Sequence, residues 1–212
     1  IFNRFHLKGY ELIQSRDSYC YHMTCRGSRF KDGLEIEKEI PLPDGTIWYK
    51  PKDSQEYLDL RANKFREWWR KWGTDVLHDD LMMPLVAPKY DIGFVIENCT
   101  DELLELLEPW CSSIYVDTYI EDYIEEEQKN TLYNLEERVH DIGRVIHEVG
   151  YKHDVELWFD GSKFTQQSFE IIKQLSQILA NDEELEVGEF ELDIFKVTIK
   201  DLKTYEENLI GV

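Results

Sequence analysis

The stretch Lys89-Tyr90-Asp91-Ile92-Gly93-Phe94-Val95-Ile96-Glu97-Asn98-Cys99-Thr100-Asp101-Glu102-Leu103 changes its hydrophobic period half-way along. Ile92, Phe94 and Ile96 alternate, which predicts a strand over residues 90–97 with one apolar face. Thr100 then stands where a helix N-cap is needed, and Asp101 and Glu102 fill the first turn, where the helix dipole favours anions. Leu103, Leu106, Leu107 and Trp110 recur at helical spacing behind them.

The same strand-then-helix rhythm continues downstream. Residues 113–118 predict a second strand, and residues 119–128 are acidic without a clear period. Leu132, Leu135, Val139, Ile142, Ile146 and Val149 predict a long amphipathic helix ended by Gly150. A third strand is expected over 155–159, then a helix over 165–181 with Phe169, Ile172, Leu175 and Leu179 facing inward. The last strand opens near Glu189 with Phe190, Leu192 and Ile194 alternating, and beyond Phe195 the apolar parity flips, which predicts a bulge or break. Two β-α-β units around an extra helix, with alternating strand faces, favour an α+β class. The expected form is a split β-α-β, ferredoxin-like domain with an inserted helix over residues 89–212, with a small parallel sheet as the alternative. The two halves open alike, Lys89-Tyr90-Asp91-Ile92 against Lys152-His153-Asp154-Val155, a hint of duplication.

Charge separates this domain from what precedes it. Residues 1–75 carry 14 Lys and Arg against 12 Asp and Glu, whereas residues 76–212 carry 10 against 32. A surface that acidic repels nucleic acid and anionic lipid, so neither is an expected partner of the second part. At 42% hydrophobic and 13% aromatic the chain has material for a packed core, and no apolar run approaches the roughly 18 residues of a membrane span. Cys20, Cys25, Cys99 and Cys111 form no CxxC pair, so reduced thiols and a cytoplasmic location are expected.

Upstream, residues 1–8 are helix-compatible and residues 10–24 rich in β-formers, with a glycine- and proline-punctuated stretch over 26–53. A helix follows, capped by Ser54, with Leu58, Ala62, Phe65, Trp69 and Trp72 on one face and Gly73 at its end. Residues 76–88, closing on Pro84 and Pro88, are the expected connector between domains.

The densest chemistry lies in Gly9-Tyr10-Glu11-Leu12-Ile13-Gln14 and in Tyr19-Cys20-Tyr21-His22-Met23-Thr24-Cys25-Arg26-Gly27-Ser28-Arg29. A strand that delivers His22 to its end puts a potential imidazole ligand next to Arg26 and Arg29, which suit a diphosphate. By residue type alone, a strand-end histidine with solvated arginines is the competing reading. Together with Phe65-Arg66-Glu67-Trp68-Trp69-Arg70-Lys71-Trp72-Gly73, the run resembles the end of the catalytic domain in family 2 glycosyltransferases of the GT-A fold, especially phage-type and environmental members. The resemblance covers about residues 1–75.

What the resemblance implies is specific. His22 completes the coordination of a divalent ion, manganese or magnesium, that bridges the diphosphate of a sugar nucleotide. Arg26 and Arg29 belong to a loop that closes on that donor diphosphate. A carboxylate deprotonates the acceptor hydroxyl while the metal neutralises the leaving group. Family members also carry an upstream Asp-x-Asp and an acidic base, and neither occurs here. The expectation is therefore a C-terminal portion of a longer enzyme, inactive alone, with a non-catalytic interaction module as the rival.

Other constellations are poorer. Cys20, His22 and Cys25 fit no usual zinc spacing. His78-Asp79-Asp80 reads as a metal or acceptor site or as a solvated connector. Glu121, Asp122, Glu125, Glu126 and Glu127 lack the glycine of a calcium loop. His140 and His147 stand seven apart, too far on a helix to share an ion. Trp68, Trp69 and Trp72 suit a sugar subsite by chemistry and a core by spacing.

Overall fold

The computed structural model of the chain describes residues 2–13, 40–41, 47–48, 55–145, 152–181, 185–206 and 209. Its packing divides into two units, Ile1–Leu12 with Arg66–Val212, and Ile13–Phe65. The second of these contains a short antiparallel pair, β1 (Ile40–Pro41) and β2 (Ile47–Trp48), and the first turns of helix α2 (Gln55–Trp72).

The larger unit opens with α1 (Phe2–Leu7), takes in the last turns of α2, and continues into a hairpin of β3 (Leu77–His78) and β4 (Pro84–Leu85). The decisive stretch then behaves as its period requires. Strand β5 (Ile92–Glu97) buries Ile92, Phe94 and Ile96, and α3 (Asp101–Leu107) starts at Thr100, whose hydroxyl accepts from Leu103 N–H. Strand β6 (Ser113–Val116), α4 (Glu121–Glu127), β7 (Val139–Asp141), α5 (Ile142–Val145), β8 (Val155–Asp160), α6 (Gln166–Asn181), β9 (Gly188–Leu192) and β10 (Phe195–Ile199) follow.

These strands form one mixed sheet in the order β7-β6-β5-β8-β10-β9. The four on one side are parallel, and β10 pairs antiparallel with both β8 and β9. The α+β class holds, but the ferredoxin-like detail does not. A split β-α-β unit needs a strand between its parallel neighbours, whereas β5 lies directly against both β6 and β8. The alternative of a parallel sheet is what the chain adopts, extended by an antiparallel hairpin. The alternation that pointed elsewhere has a physical cause. The second face of the sheet carries Gly93, Ser113, Tyr115 and Glu156, small or polar side chains that are buried all the same. Strands covered on both faces normally read as continuous apolar runs, and these do not.

The long helix expected over 132–149 is corrected over residues 132–141, while Ile142–Val145 is helical and residues 146–149 lie outside the described residues. Leu132 is 98% exposed, Asn134 caps a short 3-10 turn at Leu135–Glu137, and Val139–Asp141 pair with β6 as an edge strand. Leu135 and Val139 are buried, so the apolar spacing was real, but a turn and a strand use it rather than a helix. The parity flip near Phe195 proves to be a tight hairpin, with Leu192 opposite Phe195 and Asp193 at a φ of 54°.

The core lies on the other face, where Phe94, Ile96, Ile114, Val116, Leu157, Phe195 and Val197 meet Leu104 and Leu107 of α3 and Ile172, Leu175 and Leu179 of α6. Trp69 stacks on Trp110 at 4.8 Å and Trp72 is buried, so the tryptophans of α2 serve packing. Two glycines mark close approaches. A Cβ on Gly93 would fall 2.3 Å from the His153 ring, and one on Gly161 would fall 2.8 Å from the Asn98 carbonyl oxygen. Gly93→Ala and Gly161→Ala are each expected to lower unfolding free energy by about 1–3 kcal/mol, read as the denaturation midpoint.

Candidate functional site

His22, Arg26 and Arg29 lie outside the described residues, as do Cys20 and Cys25. His78-Asp79-Asp80 forms the β3–β4 turn, where Asp79 Oδ1 accepts from Leu81 N–H and Met83 N–H at 2.8 Å each. The acidic run 121–127 is helix α4, and His140 sits on β7, while His147 lies outside the described residues. Among the described residues no group of three or more His, Cys, Asp or Glu is arranged to hold a metal ion, and no helix is long and apolar enough to cross a membrane.

In the parallel part of the sheet, ordered β7-β6-β5-β8, the usual ligand crevice is at the carboxyl ends of the strands flanking the switch point, here β5 and β8. That edge is closed by carboxylates. Asp117, just past β6, accepts from Asn98 N–H at 2.7 Å and Cys99 N–H at 2.9 Å, the donors on which a phosphate would otherwise rest. Asp160, at the end of β8, accepts from Asn98 Nδ2 at 3.0 Å and from Ser162 N–H and Oγ at 3.0 and 2.7 Å. Asn98 takes a φ of 52° to make both connections. A nucleotide phosphate approaching here meets fixed negative charge and donors already in use.

On the polar face of the sheet, Asp91 Oδ1 lies 2.8 Å from His153 Nδ1, and His153 Nε2 lies 3.0 Å from the Tyr115 hydroxyl. The hydrogen bonds are satisfied when Nδ1 donates to Asp91 and Nε2 shares a hydrogen with the Tyr115 hydroxyl. Burial raises Asp91 but the His153 hydrogen bond and charge outweigh it, so its carboxyl falls below the ordinary value. Burial pushes the Tyr115 phenol up to about 12. Tyr115 is only 7% exposed, so His153 and Tyr115 brace Asp91 and the sheet from within. Cys99 and Cys111 are free, and burial first of all pushes both thiols up to about 12, which keeps them from acting as nucleophiles.

The most concentrated chemistry is a buried charge cluster. Glu108, completely buried after α3, receives Arg70 through Nε at 3.0 Å and Nη2 at 2.6 Å, Arg138 through Nε at 2.7 Å, and the Tyr123 hydroxyl at 3.1 Å. Arg66 Nη2 stands 3.6 Å away and donates through Nε to Glu127 at 2.6 Å, and Arg70 also pairs with Glu127 and Glu67. Arg138 Nη2 finishes on the carbonyls of Glu108 and Cys111 at 3.0 and 2.7 Å. The sequence singles out Arg66, Glu67 and Arg70 only as part of the Phe65–Gly73 run and has no signal for their partners, because Glu108 stands 38 residues from Arg70 and 30 from Arg138.

Comparison with protein-family models, curated proteins and solved structures returned no match.

Removing Glu108 leaves Arg70 and Arg138 buried without their anion. Glu108→Ala is expected to cost about 3–5 kcal/mol of stability in chemical denaturation. Burial alone raises the Glu108 carboxyl, but the charge of Arg138 and the hydrogen bonds and charge of Arg70 hold it below its ordinary 4.5. A depressed folded value means that the stabilisation is complete above 4.5 and is lost as pH falls through the folded value. Wild-type protein should therefore lose stability steeply in that acid range, and Glu108→Gln should show a flatter profile there.

Proposed function

We propose that residues 1–75 are the closing segment of a GT-A catalytic domain of the family 2 glycosyltransferase type, and that the α/β domain behind it is a non-catalytic module carried by the same enzyme. The observation that carries this reading is the paired sequence resemblance, Gly9–Arg29 followed by Phe65–Gly73. In this reading His22 holds a manganese or magnesium ion, which supplies charge neutralisation at the leaving diphosphate. Arg26 and Arg29 grip the same diphosphate of the sugar nucleotide, and the acceptor is deprotonated by a carboxylate from an upstream segment.

Two features support the division of labour. Arg66 and Arg70, in the second resembling run, spend their guanidinium groups on Glu108 and Glu127, so they couple the helix to the α/β domain instead of reaching a donor. The carboxyl edge of the sheet, closed by Asp117 and Asp160, leaves nucleotide binding to the catalytic segment.

The test is the enzyme read from the upstream frame. An Asp-x-Asp strand and an acidic base should precede Ile1, and the longer protein should bind a nucleoside diphosphate in the presence of manganese. Because loss of even an outer-shell partner of a metal costs about 10–100-fold, His22→Ala should reduce binding or transfer by at least that much. A reading frame with no such motifs, or unchanged manganese-dependent binding in His22→Ala, removes the glycosyltransferase reading and leaves an α/β interaction module.

A further inference from the structure

Opposite the carboxyl edge, a cavity of about 730 Å³ opens at the amino ends of the parallel strands. Its size lies within the usual range of small-molecule sites, about 300–1,000 Å³. The C-terminal segment forms one wall: Tyr205 N–H donates to the Lys89 carbonyl at 2.8 Å, and Tyr90 bridges to Thr204. Lys71 from α2 and Lys89 from the entry to β5 line it together with Tyr90, Tyr133 and Tyr205.

The charges in this cavity are unevenly satisfied. The carboxylates at its wall are engaged: Glu67 with Arg70 and Thr131, and Asp91 with His153. Tyr205 donates to Asp154 at 2.7 Å. The two lysines differ. Lys89 Nζ has one hydrogen bond, to the Arg70 carbonyl at 3.2 Å, and among the described residues neither Lys89 nor Lys71 has a carboxylate within ion-pair distance. In a chain of net charge −20, two lysines lining one cavity with no ion-paired carboxylate among the described residues stand out, although the charge of Asp91 does reach Lys89. Lys89 keeps donors to spare beyond its one bond to the Arg70 carbonyl, and Lys71, only partly buried with its ammonium 5.8 Å from the Trp72 ring centroid, adds a second positive charge, so an anion entering the cavity meets both. The tyrosines supply aromatic rings with hydroxyls at their rims, one face of Tyr133 lying under Arg138 and one face of Tyr205 under Lys203, and among the described residues the phenols of Tyr90 and Tyr133 have no hydrogen-bond partner.

We propose that this cavity binds a small phosphorylated sugar, its phosphate held between Lys71 and Lys89 and its ring lying against the tyrosines. The site is built within the Arg66–Val212 part of the larger unit and stands whether or not residues 1–75 belong to a glycosyltransferase. Burial, followed by the charge of Arg138, lowers the Lys89 ammonium to about 8, and a bound phosphate counters both influences.

Calorimetric titration of the full chain at pH 7 with glucose 1-phosphate tests the proposal, with inorganic phosphate and glucose as the two halves of the ligand. The expected result is submillimolar binding of glucose 1-phosphate, with each half at least about tenfold weaker. Lys89→Met and Lys71→Gln should each weaken it about tenfold or more, while Lys163→Gln, on an exposed turn, should not change it. If Lys89→Met does not fold, Lys71→Gln decides the matter by itself. Absence of binding at 10 mM (on the order of the weakest useful site), equal affinity for glucose, or full retention in Lys71→Gln overturns the proposal.

Discussion

A fully buried glutamate held by arginines sets the terms for the rest of the α/β unit. Glu108 sits at the turn between α3 and β6, Arg70 comes from α2, and Arg138 comes from the residue just before β7. Taking these charges out of water costs several kcal/mol per ion, and only near-complete hydrogen bonding offsets it. The structure meets that condition with carbonyls and a phenol as well as with counter-charges. The consequence is positional. Arg138 passes its own carbonyl to Ile114 N–H at 2.7 Å, so the residue that neutralises Glu108 also starts the β6–β7 pairing. The last turns of α2 cannot leave without stranding a buried carboxylate.

With that cluster in place, the two ends of the parallel strands acquire opposite character. The carboxyl end, which strand order marks as the customary ligand crevice, is stitched by Asp117 and Asp160 onto backbone and side-chain donors. The amino end holds a cavity whose lysines have no carboxylate partner among the described residues. Topology alone points to the first place and side-chain chemistry to the second. Fold order is a statement about backbone geometry, whereas affinity for an anion depends on where unspent positive charge is found.

The site was far less legible in sequence than the fold. His22, Arg26 and Arg29 are singled out only because a local motif carries them, and they fall outside the described residues. Glu108, Arg138, Lys89, His153 and Tyr115 carry no local pattern. Lys89-Tyr90-Asp91 and Lys152-His153-Asp154 were noticed only as similar openings, yet Asp91 and His153 from these two tripeptides meet at 2.8 Å because β5 and β8 are neighbours.

From its order of residues alone, this chain determines where β5, α3, β6, β8 and α6 form, since alternation, helical spacing and the Thr100 cap act within a few residues. The acidity of the second part is equally a property of composition. Tertiary structure decided which strands are neighbours, that residues 139–141 extend as an edge strand, and which charges are spent and which face a cavity. Those outcomes depend on partners distant in sequence, as with Ile114 and Val139 or Asp91 and His153, and a side chain's local spacing says nothing about the group that will neutralise it.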